Sequence, residues 1–143
     1  MNSVAATRAG LAEVALLLLD TTVLIDALTG KPAAERLRRL RDVGDVPLVC
    51  AVTVEELWHG LRRDEEAVVR RFVQGLRIVP LSAAEGQRAG IWRREHAARG
   101  ITLHQADCLI AAAAVAVDAT LVTGNPPDFP MPELRVEHWP VGE

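Results

Sequence analysis

Apolar positions follow two different patterns along this chain, and each pattern predicts a different kind of element. Short unbroken apolar runs, beginning with residues 14–19, are typical of strands buried on both faces of a parallel sheet. Longer segments with helical spacing separate these runs and carry boundary signals, such as Pro32 at a start and Gly44 at a stop. The further predicted strands are residues 46–52, 77–81, 119–123 and 134–138.

The predicted helices lie between these strands and determine the connectivity. They cover residues 21–28, 32–44, 53–62, 64–76, 82–100 and 105–117, and Ser82 with Glu85 forms a capping box at the start of the fifth. Strands separated by one or two helices favour a parallel sheet covered on both faces. The predicted fold class is therefore α/β, with three layers and a mainly parallel sheet of about five strands. One domain, residues 14–143, follows a short N-terminal extension, residues 1–13.

Acidic residues and an amide recur at the predicted element boundaries. Asp20 directly follows the first strand, at the carboxyl edge of the sheet, where open α/β sheets bind ligands. Glu56, Asp107 and the pair Asn125 and Asp128 lie at boundaries that can reach the same edge. Clustered carboxylates repel one another, and a hard divalent cation relieves that repulsion. The spacing thus predicts an Mg²⁺ or Mn²⁺ site that activates water and stabilises charge on phosphate oxygens.

Two of these acids also have simpler interpretations. Asp107 is the only charge on an otherwise apolar helix, and a carboxylate in the first turn interacts favourably with the helix dipole. Thr102 and His104, however, offer better-placed capping side chains there. Glu56 stands three residues after Thr53, as in a capping box. Both interpretations remain open beside the metal site.

The turn after the fourth predicted strand has a similar ambiguity. Asn125 and Asp128 are ordinary turn-forming residues. Thr123, at the end of the strand, is placed to orient a neighbouring carboxylate through its hydroxyl.

Composition and charge limit the functional classes. The chain has 143 residues, is 50% hydrophobic and carries a net charge of −3, which argues against nonspecific polyanion binding by the whole surface. Arginines nevertheless cluster, either as solvated helix faces or as contacts to phosphates. The clusters are Arg36, Arg38, Arg39 and Arg41, then Arg62 with Arg63, Arg70 with Arg71, and Arg93 with Arg94.

Cysteine usage and hydropathy indicate a reduced, cytoplasmic protein. Cys50 and Cys108 lie in apolar segments without metal-ligand spacing, and the histidines are not spaced as zinc ligands. No apolar run is long enough for a membrane helix.

Four segments of the chain are similar to the signature blocks of a known family. Residues 18–26, 53–60, 107–112 and 121–129 resemble those of the PIN-domain ribonucleases, most closely the VapC-type toxins of type II toxin–antitoxin modules. The resemblance extends from about Val14 to the final strand, in the family's order and approximate spacing.

The resemblance implies a PIN-like fold and a metal-dependent endoribonuclease. Asp20 and Asp107 would ligate Mg²⁺ or Mn²⁺, and Glu56 and Asp128 would complete the site or position water. A metal-bound water or hydroxide would then attack the RNA phosphodiester in line. Asn125 departs from the family, which often has an acid at this position. The implied supporting polar residues are Thr21, Thr22, Thr123 and Asn125.

The resemblance also implies protein partners. A small antitoxin would cover the site with a helix or tail, and the toxin would form a homodimer. Trp58 would contact the antitoxin or pack in the core or the dimer interface.

Two other functional classes remain possible from the residues. A phosphotransferase or phosphatase with an aspartyl nucleophile also places Asp20 at a strand end, but Thr22 replaces the second Asp of Asp-x-Asp. A receiver-like domain needs a lysine at a later strand end, whereas Lys31 lies on another element. A catalytically weak module that binds RNA or a partner is favoured by Asn125.

Overall fold

Five short parallel strands form the centre of the computed structural model, which describes residues 14–30 and 32–142. The sheet has the order β3-β2-β1-β4-β5, and every neighbouring pair is parallel. The predicted N-terminal extension, residues 1–13, lies outside the described residues. The strands are β1 (Leu16–Leu19), β2 (Val46–Cys50), β3 (Arg77–Val79), β4 (Thr120–Thr123) and β5 (Val136–His138).

Six α-helices of the described residues cover the two faces of this sheet. Leu18 of β1 belongs to the core beneath one set of helices, whereas Leu17 and Leu19 point to the other, as strand alternation requires. The predicted three-layer α/β/α architecture is therefore confirmed. The helices are α1 (Thr21–Leu28), α2 (Pro32–Asp42), α3 (Ala51–Gly60), α4 (Glu66–Gln74), α5 (Ala83–Ala97) and α6 (Gln105–Ala116).

The centre of the sheet determines which residues meet at its carboxyl edge. Leu19 of β1 lies beside Val122 of β4, and the Asp20 N–H donates to the Val122 carbonyl at 2.8 Å. The residues that follow these two, Asp20 and Thr123, are therefore neighbours in space although they are far apart in sequence. Both are buried.

Helix α6 brings Asp107 to the same side of the molecule. Four consecutive small residues, Ala111 to Ala114, are completely buried in the core shared with α5. Small side chains let this helix approach the sheet and α5 closely. The predicted helix over residues 105–117 is confirmed to within one residue.

The boundary between β2 and α3 is the main error of the sequence prediction. The strand ends at Cys50 and the helix begins at Ala51, so Val52 and Thr53 are helical. The apolar run continues through the first helical turn, and apolarity alone does not distinguish strand from buried helix. Because Cys50, not Thr53, is the N-cap residue, the capping-box interpretation of Glu56 is wrong.

Other sequence signals hold in the structure. Ser82 and Glu85 form the predicted capping box, in which the Ser82 N–H donates to Glu85 Oε1 at 2.7 Å. Gly44 and Gly100 follow their helices with positive φ, a conformation that favours glycine.

Cys50 and Cys108 are buried free thiols. Among the described residues, no helix is both long and apolar enough to cross a membrane.

Candidate metal centre

Asp20 is held rigidly at the end of β1. Its side chain is only 5% exposed and it caps helix α1. Oδ1 accepts from the Thr21 N–H at 2.8 Å, and Oδ2 accepts from the hydroxyls of Thr22 at 3.1 Å and Thr123 at 2.7 Å. Thr123 thus contacts a neighbouring carboxylate through its hydroxyl, as its place at the strand end predicts. A carboxylate has about four acceptor positions, so these three bonds orient Asp20 and leave acceptor capacity for a cation.

Glu56 lies on α3 and is connected to the same corner through Thr21. The Thr21 hydroxyl donates to Glu56 Oε1 at 2.6 Å, and the Thr21 oxygen also lies 3.2 Å from Thr53 Oγ1. Thr53 is completely buried, so it supports Thr21 from inside the core. Sequence reasoning missed this contact because it joins residues on different elements and Thr53 resembled a helix cap.

The turn after β4 contributes Asp128, which Asn125 orients. The Asn125 side-chain amide donates to Asp128 Oδ2 at 2.7 Å, and the Asn125 backbone N–H donates to Thr123 Oγ1 at 3.0 Å. Thr123 therefore connects the turn directly to Asp20. Asn125 adds no charge to the site, but it fixes the carboxylate of Asp128.

Asp107 shows the electrostatic consequence of this arrangement. The pKa of Asp107 is raised from 3.8 to about 6, chiefly by burial and then by the negative charges of Asp20, Asp128 and Glu56, against a lowering by His104. All three predicted partners thus lie within electrostatic range of Asp107. His104 is the N-cap residue of α6, but its side chain does not cap the helix, so that part of the prediction is wrong.

The donor set suits a cation that retains water. None of the ion pairs found within residues 14–30 and 32–142 involves Asp20, Glu56, Asp107 or Asp128. In the same part of the chain, no three acidic, histidine or cysteine side chains converge closely enough to enclose a metal ion by themselves. Mg²⁺ is commonly bound by one or two carboxylates and otherwise by water and phosphate oxygens. The oxygen donors present fit that coordination and do not fit a closed protein cage.

Several clustered arginines are engaged in local contacts. This favours the solvated-surface interpretation for those residues and leaves the phosphate-contact interpretation for Arg63, Arg71, Arg93 and Arg94. The engaged residues are Arg38 and Arg39 with Glu35, Arg62 with Asp64 and Glu65, Arg36 and Arg41 with backbone carbonyls, and Arg70 over the Trp58 ring.

Comparison with known families identifies the domain. The family model described as the PIN domain matches residues 17–128, which include all four acids of the candidate site. The chain belongs to the PIN-domain family. The predicted resemblance and PIN fold are thus confirmed.

Similar PIN-domain proteins come from several bacteria. Ribonuclease VapC19 of Mycobacterium tuberculosis is 37% identical over 124 residues, which cover 82% of this chain and 96% of the relative. Ribonuclease VapC2 of Rickettsia felis is 28% identical over 130 residues, covering 85% and 96%. Among solved structures, VapBC2 from Rickettsia felis bound to a promoter DNA fragment matches with a TM-score of 0.77 and 26% identity, covering 87% of this chain and 98% of that one.

The raised pKa of Asp107 predicts how pH affects this PIN domain without metal. The pKa of the Asp107 carboxyl is about 6 in the folded state, whereas its ordinary pKa is 3.8. Between these values the folded state binds more protons than the unfolded state, so rising pH lowers the free energy of unfolding. In EDTA, we expect Asp107→Asn to have the higher melting temperature at about pH 7 and to lose this advantage towards pH 4. A variant that melts below the wild type at pH 7 would instead indicate a structural role for Asp107.

Proposed function

We propose that this chain is the endoribonuclease toxin of a toxin–antitoxin pair and that it hydrolyses RNA phosphodiester bonds with Mg²⁺ or Mn²⁺. The observation that carries the proposal is the buried Asp20 carboxylate, which backbone and hydroxyl donors hold at the carboxyl edge of the sheet and whose charge helps to raise the pKa of Asp107. Membership of the PIN family and the similarity to ribonuclease VapC19 support the same reaction.

The residues divide the chemistry between binding and positioning. Asp20 and Asp107 would hold the divalent cation, which would lower the pKa of a bound water and stabilise negative charge on phosphate oxygens. Thr22 and Thr123 fix the orientation of Asp20. Preorganised ligands of this kind reduce the reorganisation needed during the reaction.

Glu56 and Asp128 flank the metal ligands and orient the attacking water. Glu56 Oε1 accepts a hydrogen bond from the Thr21 hydroxyl, so Oε2 would be the oxygen that accepts a hydrogen bond from that water. Asn125 holds Asp128 in a similar way through one carboxylate oxygen. Both acids therefore have one oxygen used for orientation and one available to the reaction.

We further propose that the antitoxin binds in a groove next to Glu56. The groove, about 390 Å³ in volume, lies between α1, α3 and the start of α4. Val68 is 67% exposed on its wall, and Ile25 is also exposed. A partner segment that combines apolar side chains with a basic residue suits this lining. The groove is lined by Ile25, Leu28, Thr29, Glu56, Leu57, Gly60, Leu61, Asp64, Glu65, Val68 and Val69.

Trp58 fits a packing role better than an antitoxin contact. Its ring packs against the core beneath α1 to α4, and the Arg70 guanidinium lies 5.8 Å from the ring centroid.

The homodimer implied by the family resemblance is also part of the proposal. Light scattering of the purified chain tests it, and a mass of one chain would contradict it.

Metal dependence tests the proposed reaction. We expect RNA cleavage in Mg²⁺ or Mn²⁺, no cleavage in EDTA, and recovery when excess Mg²⁺ is added. Asp20→Asn and Asp107→Asn keep the side-chain shape but remove a ligand charge. Even partners that only orient metal ligands cost 10–100-fold when replaced, so each variant should lose more than about a hundredfold in kcat/KM. Unchanged cleavage in chelator would rule out the metal mechanism, and a folded wild type that binds RNA without cleaving it would favour the binding-module alternative.

Glu56→Gln separates catalysis from structure at the second acid. The Gln side-chain oxygen can still accept the Thr21 proton, so the fold should be retained, while the loss of charge should lower kcat by roughly a hundredfold or more. Glu55→Gln is the matched control because Glu55 is the adjacent, exposed carboxylate on the same helix. Equal activity of the two variants would remove Glu56 from the site.

The antitoxin groove is tested by adding charge to its wall. Val68→Glu replaces an exposed apolar side chain with a carboxylate that must lose water when apolar side chains of the partner bind, so the antitoxin should bind about tenfold or more weakly, which is about 1.4 kcal/mol. RNA cleavage without antitoxin should not change. Val43→Glu is the control, since Val43 is 69% exposed and lies outside the groove. Equal antitoxin titration curves for the two variants would place the partner elsewhere.

A further inference from the structure

The C-terminal segment, residues 139–142, crosses the carboxyl edge of the sheet next to the metal centre. Three polar contacts hold it. The Trp139 N–H donates to the Thr123 carbonyl at 2.9 Å, the Arg36 guanidinium donates to the Pro140 carbonyl at 3.0 Å, and the Gly142 N–H donates to Asp26 Oδ1 at 2.9 Å. The segment is therefore fixed on both sides of Val141.

Asp26 is the buried anchor of this arrangement. It lies on α1, the helix that Asp20 caps, and is only 5% exposed. Its second oxygen accepts from the Ala33 N–H at 3.2 Å, at the start of α2. A buried carboxylate is tolerated when its oxygens are hydrogen-bonded. Asp26 thus joins α1, α2 and the C-terminal segment, and it contacts none of the other acids through a hydrogen bond of the described residues.

Val141 packs against Gly124 at very short range. A Cβ atom placed on Gly124 would lie 2.7 Å from Val141 Cγ2 and 2.9 Å from Cγ1. Those distances are below any ordinary carbon contact, so only glycine fits at this position while Val141 stays in place. A valine side chain has little freedom about χ1, and its backbone neighbours are both hydrogen-bonded.

Gly124 in turn orients Thr22, which donates a hydrogen bond to Asp20. The Gly124 N–H donates to Thr22 Oγ1 at 3.2 Å, and the Thr22 hydroxyl donates to Asp20 Oδ2 at 3.1 Å. A hydroxyl has one proton. When its oxygen accepts from Gly124, that proton is directed to Asp20.

We propose that residues 139–142 act as a latch for the metal centre, in which Asp26 and Val141 are positioning residues that fix Asp20 through Gly124 and Thr22. The inference rests on the proposed nuclease function and extends it to the C-terminal end of the chain. The latch is continuous in space: Asp26 holds Gly142, Val141 holds the Gly124 turn, and that turn orients the Thr22 hydroxyl.

A double-mutant cycle at the Gly124–Val141 contact tests the latch. Gly124→Ala forces the turn away from Val141, and we expect kcat to fall about tenfold or more with little change in KM, since small displacements of catalytic groups are costly. Val141→Ala removes both Cγ atoms that hold the Gly124 turn, so it should itself lower kcat by about threefold. The double variant should regain most of the loss of Gly124→Ala, because the clash is gone. Such rescue is a coupling that independent sites do not show.

A second readout does not depend on activity. The Thr21 amide donates to Asp20 Oδ1, so its NMR shift in metal-free protein reports the position of that carboxylate. We expect the signal to move in Gly124→Ala and to return in the double variant. Loss of stability alone would not produce this return.

The outcomes distinguish the latch from the nuclease proposal. A double variant no better than Gly124→Ala, with the Thr21 signal unmoved throughout, would overturn the latch. A wild type without cleavage in any metal would overturn the nuclease proposal, while the Thr21 signal would still decide the latch. If Gly124→Ala does not fold, the single variant Val141→Ala takes its place. Wild-type kcat and an unmoved Thr21 signal in Val141→Ala would contradict the proposal.

Discussion

The structure of the candidate site depends on how Asp20 is held at the end of β1. Its carboxylate caps α1 and accepts hydrogen bonds from the hydroxyls of Thr22 on α1 and Thr123 on β4. The group that begins the helix therefore also connects α1 to β4 at the edge of the sheet. Buried carboxylates are stable only when such donors satisfy them. The threonines around Asp20 therefore explain how a negative charge persists at the edge of an apolar core made of Leu, Val and Ala.

Gathering further acids around this anchor has an electrostatic consequence. The raised pKa of Asp107 shows that the folded protein disfavours its ionised form when no cation is present. Perturbed pKa values of this origin are typical of functional sites, where stability is commonly lower than the fold alone would allow. A bound divalent cation would offset this repulsion, because it would attract each of the carboxylates.

The sequence predicted the architecture and the place of Asp20 at a strand end for identifiable reasons. Unbroken apolar strands, capping residues and glycine stops determined the order of elements, and Asp20 was placed correctly because it interrupts an apolar run. The end of β2 was misplaced because Ala51 and Val52 are apolar in either a strand or a buried helix. Because of that error, Thr53 was predicted to be the N-cap of the helix, whereas it is a buried residue whose hydroxyl contacts the Thr21 hydroxyl.

Contacts between distant residues were beyond prediction from one sequence. Nothing in the local pattern indicates that Asp26 reaches Gly142 or that Gly124 makes room for Val141, since these pairs form only when the sheet is assembled. Nor does the local pattern indicate that the Asn125 side-chain amide orients the Asp128 carboxylate. Composition likewise did not distinguish solvated arginines from those free to contact phosphate.

The central claim is that Asp20 and Asp107 together bind a divalent cation. Anomalous X-ray scattering from crystals soaked in Mn²⁺ tests it most directly. The account predicts an anomalous peak within coordination distance of carboxylate oxygens of both residues, and loss of that peak in Asp107→Asn. A peak bound to other acidic residues, or none at the carboxyl edge of the sheet in a well-ordered crystal, would contradict it.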